Sequence, residues 1–316
     1  MRVGVGQLKQ LDDEALTFAA QLGATGIQLN TPELPGEKRW EYADLLRHRR
    51  RVESAGLELF AVESSYPTFY DRPLLGLPGR DEQIEDYCAT IRNVGRAGIP
   101  ILGFHWMTDG VWRTSRAKRG RGGARVADFD LELAQRAPVS HGRTYPVAEM
   151  WANLEYFLDA VLPVAEATGV RLAVHPDDPP VPLLGGVGRA LIDFEAFKRL
   201  FATAPSPNLG MQFCTGSWSA MMGSDCLEAV RYFAERERIC YVHFRDVRGT
   251  AESFEECFLG EGNLDLAEVI RTLHEAGFDG YLIDDHVPGM VNDSTYGHRA
   301  RAHAVGYMSG LIAALD

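Results

Sequence analysis

The sequence predicts an α/β protein of the TIM (β/α)8 barrel class, and three observations carry that expectation. A helix-to-strand phrase recurs along the chain, short apolar runs alternate with amphipathic stretches, and 316 residues suffice for eight βα units. The phrase reads AQLGATGIQL, VESAGLELFAVE, GRAGIPILGF, AEATGVRLAV and HEAGFDGYLI. In each copy a helix closes on alanine and glycine, where glycine takes a left-handed cap, and an aliphatic run of strand length follows at once.

Taken in order, the first strand is the apolar start at 3–6. Strands at 26–29, 58–62 and 101–104 each complete a copy of the phrase, and the segment 107–145 then interrupts the rhythm. The fourth copy gives 171–174, apolar runs without the phrase give 210–213 and 240–242, and the fifth copy gives 280–283. Short apolar runs with little alternation mark strands covered on both faces, as in a parallel sheet. A doubly wound open sheet is the alternative. It would carry a glycine-rich phosphate fingerprint after its first strand, and GVGQLKQL supplies none. The chain is therefore expected to be one barrel domain over 1–316, with 107–145 as a long loop after the fourth strand.

A composition of 46% hydrophobic and 24% charged residues excludes disorder and collagen-like structure. The 44 acidic against 32 basic residues leave a formal charge of −12, a field that repels phosphate backbones, so nucleic acid is not an expected partner. No run approaches the roughly 18 apolar residues of a membrane span, and MRVGVGQLKQLDDE lacks the basic-then-apolar signal pattern. No membrane role is expected, and the cytoplasm is the expected compartment. The cysteines, Cys88, Cys214, Cys226, Cys240 and Cys257, are odd in number and lack CxxC spacing, so each reads by default as a small buried residue. Trp218 and Tyr232 are candidates either for core or for the interface of a homo-oligomer.

Within 107–145 the stretch WRTSRAKRGRGGAR sets Arg113, Arg116, Lys118, Arg119, Arg121 and Arg125 among glycines and reads as mobile and basic. Two roles are open: a solvated loop, or a lid that brings an arginine to an anionic substrate.

Barrel active sites project from the carboxyl ends of the strands, so the residue after each apolar run carries information. Asn30, Glu63, His105, His175, Cys214, His243 and the pair Asp284–Asp285 occupy those places. His175, Cys214, His243 and Asp285 make a plausible divalent-metal set of two imidazoles, a thiolate and a carboxylate. Zinc, ferrous iron and manganese all suit parts of that set. Core histidines bonded to backbone are the alternative. Asp177 and Asp178 in HPDDPP are placed to orient a ligand, or simply to form an acidic turn.

These residues resemble the D-mannonate dehydratases, whose fold is a xylose-isomerase-like TIM barrel. HPDDPP, NLGMQFCTGS, YVHFRDV, SFEE, GEGNLD, DGYLIDDHVP and STYGHRARAHAVGYMSGL carry the resemblance in the C-terminal half, with VESSYP and HWMTDGVWR earlier. The resemblance implies a metal-dependent hydro-lyase acting on a sugar acid. It makes His175, Cys214, His243 and Asp285 ligands of Mn2+ or Fe2+, and His286 and Tyr296 the proton-transfer groups. Types agree: imidazole titrates near neutrality, and a phenol donates to a leaving hydroxyl. Arg245 and Arg113 are candidates for the substrate carboxylate, with His105 and Asp178 in the substrate shell.

The chain departs from the family pattern in places. It has His105, Trp106, Met107 and Thr108, then Val111 and Trp112, where the family usually shows Asn-Phe-Met-Pro and then Asp-Trp. Leu259 stands where a histidine is typical, and Asp246 where asparagine is common. The connection after the fourth strand is also shorter. Because specificity rests on hydrogen bonds to single hydroxyls, a metal-dependent isomerase, epimerase or keto-sugar eliminase is the rival reading.

Overall fold

In the computed structural model, which describes residues 1–315, eight parallel strands close on themselves in chain order. They are β1 (Arg2–Leu8), β2 (Gly26–Leu29), β3 (Glu58–Val62), β4 (Ile101–His105), β5 (Arg171–His175), β6 (Leu209–Cys214), β7 (Ile239–Phe244) and β8 (Tyr281–Asp284). β1 pairs with both β2 and β8, so the barrel sheet has no free edge. The principal helices are α1 (Asp13–Gln21), α2 (Tyr42–Ser54), α3 (Arg80–Arg96), α4 (Val147–Thr168), α5 (Phe194–Thr203), α6 (Cys226–Ala234), α7 (Leu266–Glu275) and α8 (His298–Ala313). One follows each strand, as a TIM barrel requires.

The repeated phrase has a local cause. Gly23, Gly56, Gly98, Gly169 and Gly277 all adopt φ between +72° and +78°, the left-handed turn that ends each helix and aims the chain into the next strand. At the other ends, Asp12, Asp193 and Asp265 cap α1, α5 and α7 by accepting backbone N–H bonds.

Toward the amino ends of the strands, the barrel is filled by Phe60, Ile101, Ala173, Tyr241, Tyr281 and Ile283, with Phe60 and Tyr281 stacked at 4.0 Å. Above this plug lies a polar layer. Gln212 Nε2 donates to the carbonyls of Glu63 and Ala173, and Gln28 Nε2 donates to the Glu63 carboxylate.

Trp218 belongs to the core rather than to an interface. It is wholly buried, stacked on Phe213 at 5.2 Å and packed against Phe197 and Phe233. Tyr232 lies half-buried against Phe194 and Phe233, beneath the Arg236 guanidinium. All five cysteines are buried and unpaired, as their composition implies.

The segment 107–145 is not the unstructured loop its glycines and charges imply. Ser115–Arg119 and Arg125–Asp130 form a hairpin that joins Ser253–Cys257 and Asp246–Thr250 in a four-stranded antiparallel sheet. Val126 and Phe129 turn inward and are buried, Phe129 against Val247 and Phe254. The charges turn outward, where Lys118 meets Glu255 at 2.9 Å and Arg121 meets Glu261 at 2.8 Å. Connections after β4 and after β7 are thereby fused over the carboxyl end of the barrel.

Candidate metal centre and active site

Strand ends bring His175, Cys214 and His243 together, with one ligand atom from each lying within 4.8 Å of the others. Parallel register sets this up: Cys214 pairs with His243, and His105 with His175. The rings of His105 and His175 stand 4.9 Å apart, and those of His175 and His243 stand 5.1 Å apart. His175 Nδ1 lies 2.6 Å from the Pro176 carbonyl, which only accepts, so Nδ1 carries the proton and Nε2 keeps its lone pair.

Asp285 stands beside this triad rather than inside it. Its Oδ2 is 3.7 Å from His243 Nδ1 and 3.3 Å from Arg245 Nε. Alternation sorts the two adjacent aspartates: Asp284 instead accepts from Gly6 N at 3.2 Å and pairs with Arg301.

The donor set fits a divalent cation. Neither ring nitrogen of His243 makes a well-aligned hydrogen bond among the described residues, although the side chain is buried and carboxylates stand 3.3 Å from Nε2 and 3.7 Å from Nδ1, an arrangement that suits an intervening cation. Burial works against ionisation of Cys214, but Arg245 and the two histidines outweigh it and hold the thiol well below its usual pKa. Arg245 Nε donates to its sulfur at 3.0 Å. A thiolate and a lone-pair imidazole are what a metal ion binds.

Glu63 is a member that the strand-end list names without a role. Its carboxylate lies 3.3 Å from His243 Nε2 and 3.4 Å from His105 Nε2, and it accepts from Gln7 Nε2 at 2.6 Å. Burial disfavours the charge on His243, yet Glu63 with Cys214 and Asp285 raises its pKa well above the ordinary value.

Beside the triad lies a buried charge network that the sequence reading only half identifies. Asp178 accepts from Arg113 Nη1 at 2.7 Å, Arg113 Nη2 at 2.9 Å and Arg245 Nη2 at 2.8 Å. Glu256 accepts from Arg113 Nη2 at 2.6 Å and from Arg245 Nη1 at 2.9 and 2.8 Å. Both guanidiniums are thus engaged by carboxylates of the chain itself. The period of two along SFEEC is the signal for Glu256: Phe254 and Glu256 face inward while Glu255 faces Lys118.

FCTGS has a physical reading here. Thr215 Oγ1 donates to the His243 carbonyl at 3.1 Å and accepts from Arg245 N at 2.9 Å, locking β6 to β7. Ser217 Oγ accepts from Arg245 Nη2 at 3.1 Å, and a Cβ on Gly216 would sit 2.7 Å from the guanidinium carbon. Only glycine leaves room for the arginine.

His286 joins the network at its rim. Its Nδ1 lies 2.9 Å from Glu256 Oε1 and its Nε2 lies 3.6 Å from Asp285 Oδ1. Burial lowers its pKa, but Asp285 and Glu256 raise it above the ordinary value on balance. With φ of +45° it holds a backbone conformation rare outside glycine, as does Gln7 with φ of +62°. Both residues line the mouth, a cleft of about 460 Å³ that also includes Asp285, Tyr296 and Arg125. Tyr296 donates its hydroxyl to the Gly6 carbonyl at 2.6 Å, and burial pushes its pKa up.

The D-mannonate dehydratase (UxuA) family model matches residues 8–141 and 139–316. The chain belongs to the D-mannonate dehydratase family. The mannonate dehydratase of Streptococcus equi subsp. zooepidemicus is 32% identical over 323 residues, spanning 92% of this chain and 88% of that protein. The crystal structure of mannonate dehydratase from Streptococcus suis serotype 2 aligns with a TM-score of 0.87 at 30% identity, covering 99% of this chain and 93% of that one. A xylose isomerase domain protein from Planctomyces limnophilus has a TM-score of 0.64 at 16% identity over 98% of both chains, and shares the fold. In this D-mannonate dehydratase family member, the departures from the pattern have definite positions. Leu259 lines a narrow space beside His286, while Asp246 accepts from Gly260 N at 3.2 Å and Gly262 N at 2.8 Å, tying down the segment that holds Leu259.

Proposed function

We propose that the protein dehydrates a sugar acid, with D-mannonate as the first substrate to test and 2-dehydro-3-deoxy-D-gluconate as its product. The convergence of His175, Cys214 and His243 beside Asp285 and His286, in a chain of this family, carries the reading. The reaction removes a proton from C2 and hydroxide from C3, and the enol then collapses to the 2-keto acid. Such a C2 proton is barely acidic, because removing it places negative charge beside a carboxylate.

His175, Cys214, His243 and Asp285 would hold Mn2+ or Fe2+. A bound ion supplies positive charge that stabilises the charge developing on the substrate. His286 directs Nδ1 at Glu256 and so keeps Nε2 for proton transfer at the mouth, where Asp285 favours the protonated ring. Tyr296 remains a phenol at neutral pH and, released from the Gly6 carbonyl, offers its hydroxyl proton. Arg245 holds the Cys214 sulfur as thiolate, and its guanidinium is fixed with that of Arg113 by Asp178 and Glu256.

We also propose that residues 1–316 form one barrel domain that works in the cytoplasm and is open to self-association. No helix of the described residues is long and apolar enough to cross a membrane. The test loads purified protein with Mn(II) or, anaerobically, Fe(II), and follows 2-keto-3-deoxy acid formation from a panel of aldonates. Metal-dependent product from D-mannonate, lost in Cys214→Ser, is the expected result. Metal bound with no product from any aldonate overturns the reading.

A further inference from the structure

The basic run in the connection after β4 is only partly used by the site. Arg113 is buried in the network, while Arg119, Arg121 and Arg125 line a separate cleft of about 590 Å³ with Phe258, Met290 and His303. This cleft adjoins the active-site mouth, and Arg125, Gly289 and Met290 belong to the walls of both. In a chain of formal charge −12 it gathers three arginines and a histidine.

The arginines of the cleft are not equivalent. Arg121 pairs with Glu261 and lies over the Phe258 ring at 4.2 Å, and Arg119 donates to the Gly123 carbonyl at 2.9 Å. Arg301, the other arginine of the mouth, is paired with Asp284. Among the described residues Arg125 makes no ion pair. Its backbone is nevertheless fixed: Arg125 N donates to the Gly289 carbonyl at 3.0 Å, and Gly289 N donates to the Arg125 carbonyl at 2.7 Å. That pair of hydrogen bonds sits three positions beyond His286, and a Cβ on Gly289 would touch Arg125 Nε at 3.6 Å. An exposed guanidinium without an internal carboxylate, carried on a fixed backbone at the junction of two clefts, is free to contact an anion.

We infer that the cleft is a second anion subsite, taking an acidic group at the far end of a sugar acid whose first carboxylate lies at the metal centre. The inference rests on the sugar-acid reading and deepens it: the preferred substrate is a sugar diacid or a phosphorylated sugar acid. Met290 supplies an apolar wall for the intervening carbons, and Arg125 supplies the forked contact.

The experiment compares metal-loaded wild type with Arg125→Met on three acids of one configuration: mannonate, its C6 diacid, and its 6-phosphate. Wild type is expected to favour at least one dianion over mannonate in kcat/KM by roughly tenfold, the worth of one charge-assisted contact near a surface. Arg125→Met is expected to erase that ratio through KM, and the favoured dianion identifies the terminal group. Turnover of mannonate with no dianion preference, or a preference that survives Arg125→Met, overturns the subsite and leaves the dehydratase reading intact. If none of the acids is turned over, the sugar-acid reading fails by itself. Calorimetric titration of the metal-loaded chain with the diacid and with inorganic phosphate then decides: binding heat lost in Arg125→Met upholds the subsite, and equal heats in both proteins refute it.

Discussion

Replacing Glu256 with glutamine tests whether the buried network is one cooperative unit. Glu256 accepts from Arg113 and Arg245 through contacts of 2.6 to 3.1 Å and meets His286 Nδ1 at 2.9 Å. Glutamine keeps the shape but turns one acceptor into an N–H that faces guanidinium N–H groups. Breaking a buried ion pair costs about 3–5 kcal/mol, and because Asp178 still binds both arginines we expect the lower figure, about 3 kcal/mol. For 316 residues that lowers Tm by about 5 °C.

Burial works against the Glu256 charge, but Arg245, Arg113 and His286 hold its pKa well below the usual carboxylate range. Its stabilisation is therefore complete above the unfolded-state pKa and fades as pH falls through the folded one. The gap between wild type and Glu256→Gln should widen as His286 takes up its proton on going from pH 8 to 6, because Glu256 favours the charged ring, and narrow below about pH 4. Thermal unfolding followed by circular dichroism across that range is the assay. A Tm change under about 1 °C at neutral pH, or a gap that does not narrow below about pH 4, refutes the coupling.

Other perturbations follow from the same contacts. Gly216→Ala pushes the Arg245 guanidinium off Cys214 and Ser217, costing about 1–3 kcal/mol, and weakens metal uptake in an equilibrium dialysis series. Asp246→Asn should lower Tm, because both carboxylate oxygens accept backbone N–H groups and the new amide N–H faces one of those donors. Burial lifts the Asp246 pKa despite those donors, so wild type gains as pH falls through the folded value and the deficit should widen toward pH 4 in parallel melts. Prolonged chelation should lower both Tm and activity, with recovery on adding back Mn(II) or Fe(II), because like-charged and orphaned groups are left buried around His243.

The barrel was legible because five of its strands are preceded by the same local instruction, a glycine at positive φ after a helix and an apolar run after that. His175, Cys214 and His243 were legible for the same reason: in a parallel barrel the strand end is the site, whatever the sequence separation. Glu256 and the burial of Arg113 were not. Counting charges in WRTSRAKRGRGGAR describes a solvated segment, whereas the partners that bury Arg113 lie 65 and 143 positions away at Asp178 and Glu256. They meet through a sheet built between two connections, and no local pattern encodes that pairing. Glu63 had a visible position but no visible neighbours, because Gln7 and Gln28 reach it from β1 and β2.

Phe60, Tyr241, Tyr281 and Ile283 stopper the lower half of the barrel. Traffic to the histidines therefore has a single entrance, and a spent molecule must depart by the route its successor needs. Product should consequently act as a competitive inhibitor against substrate.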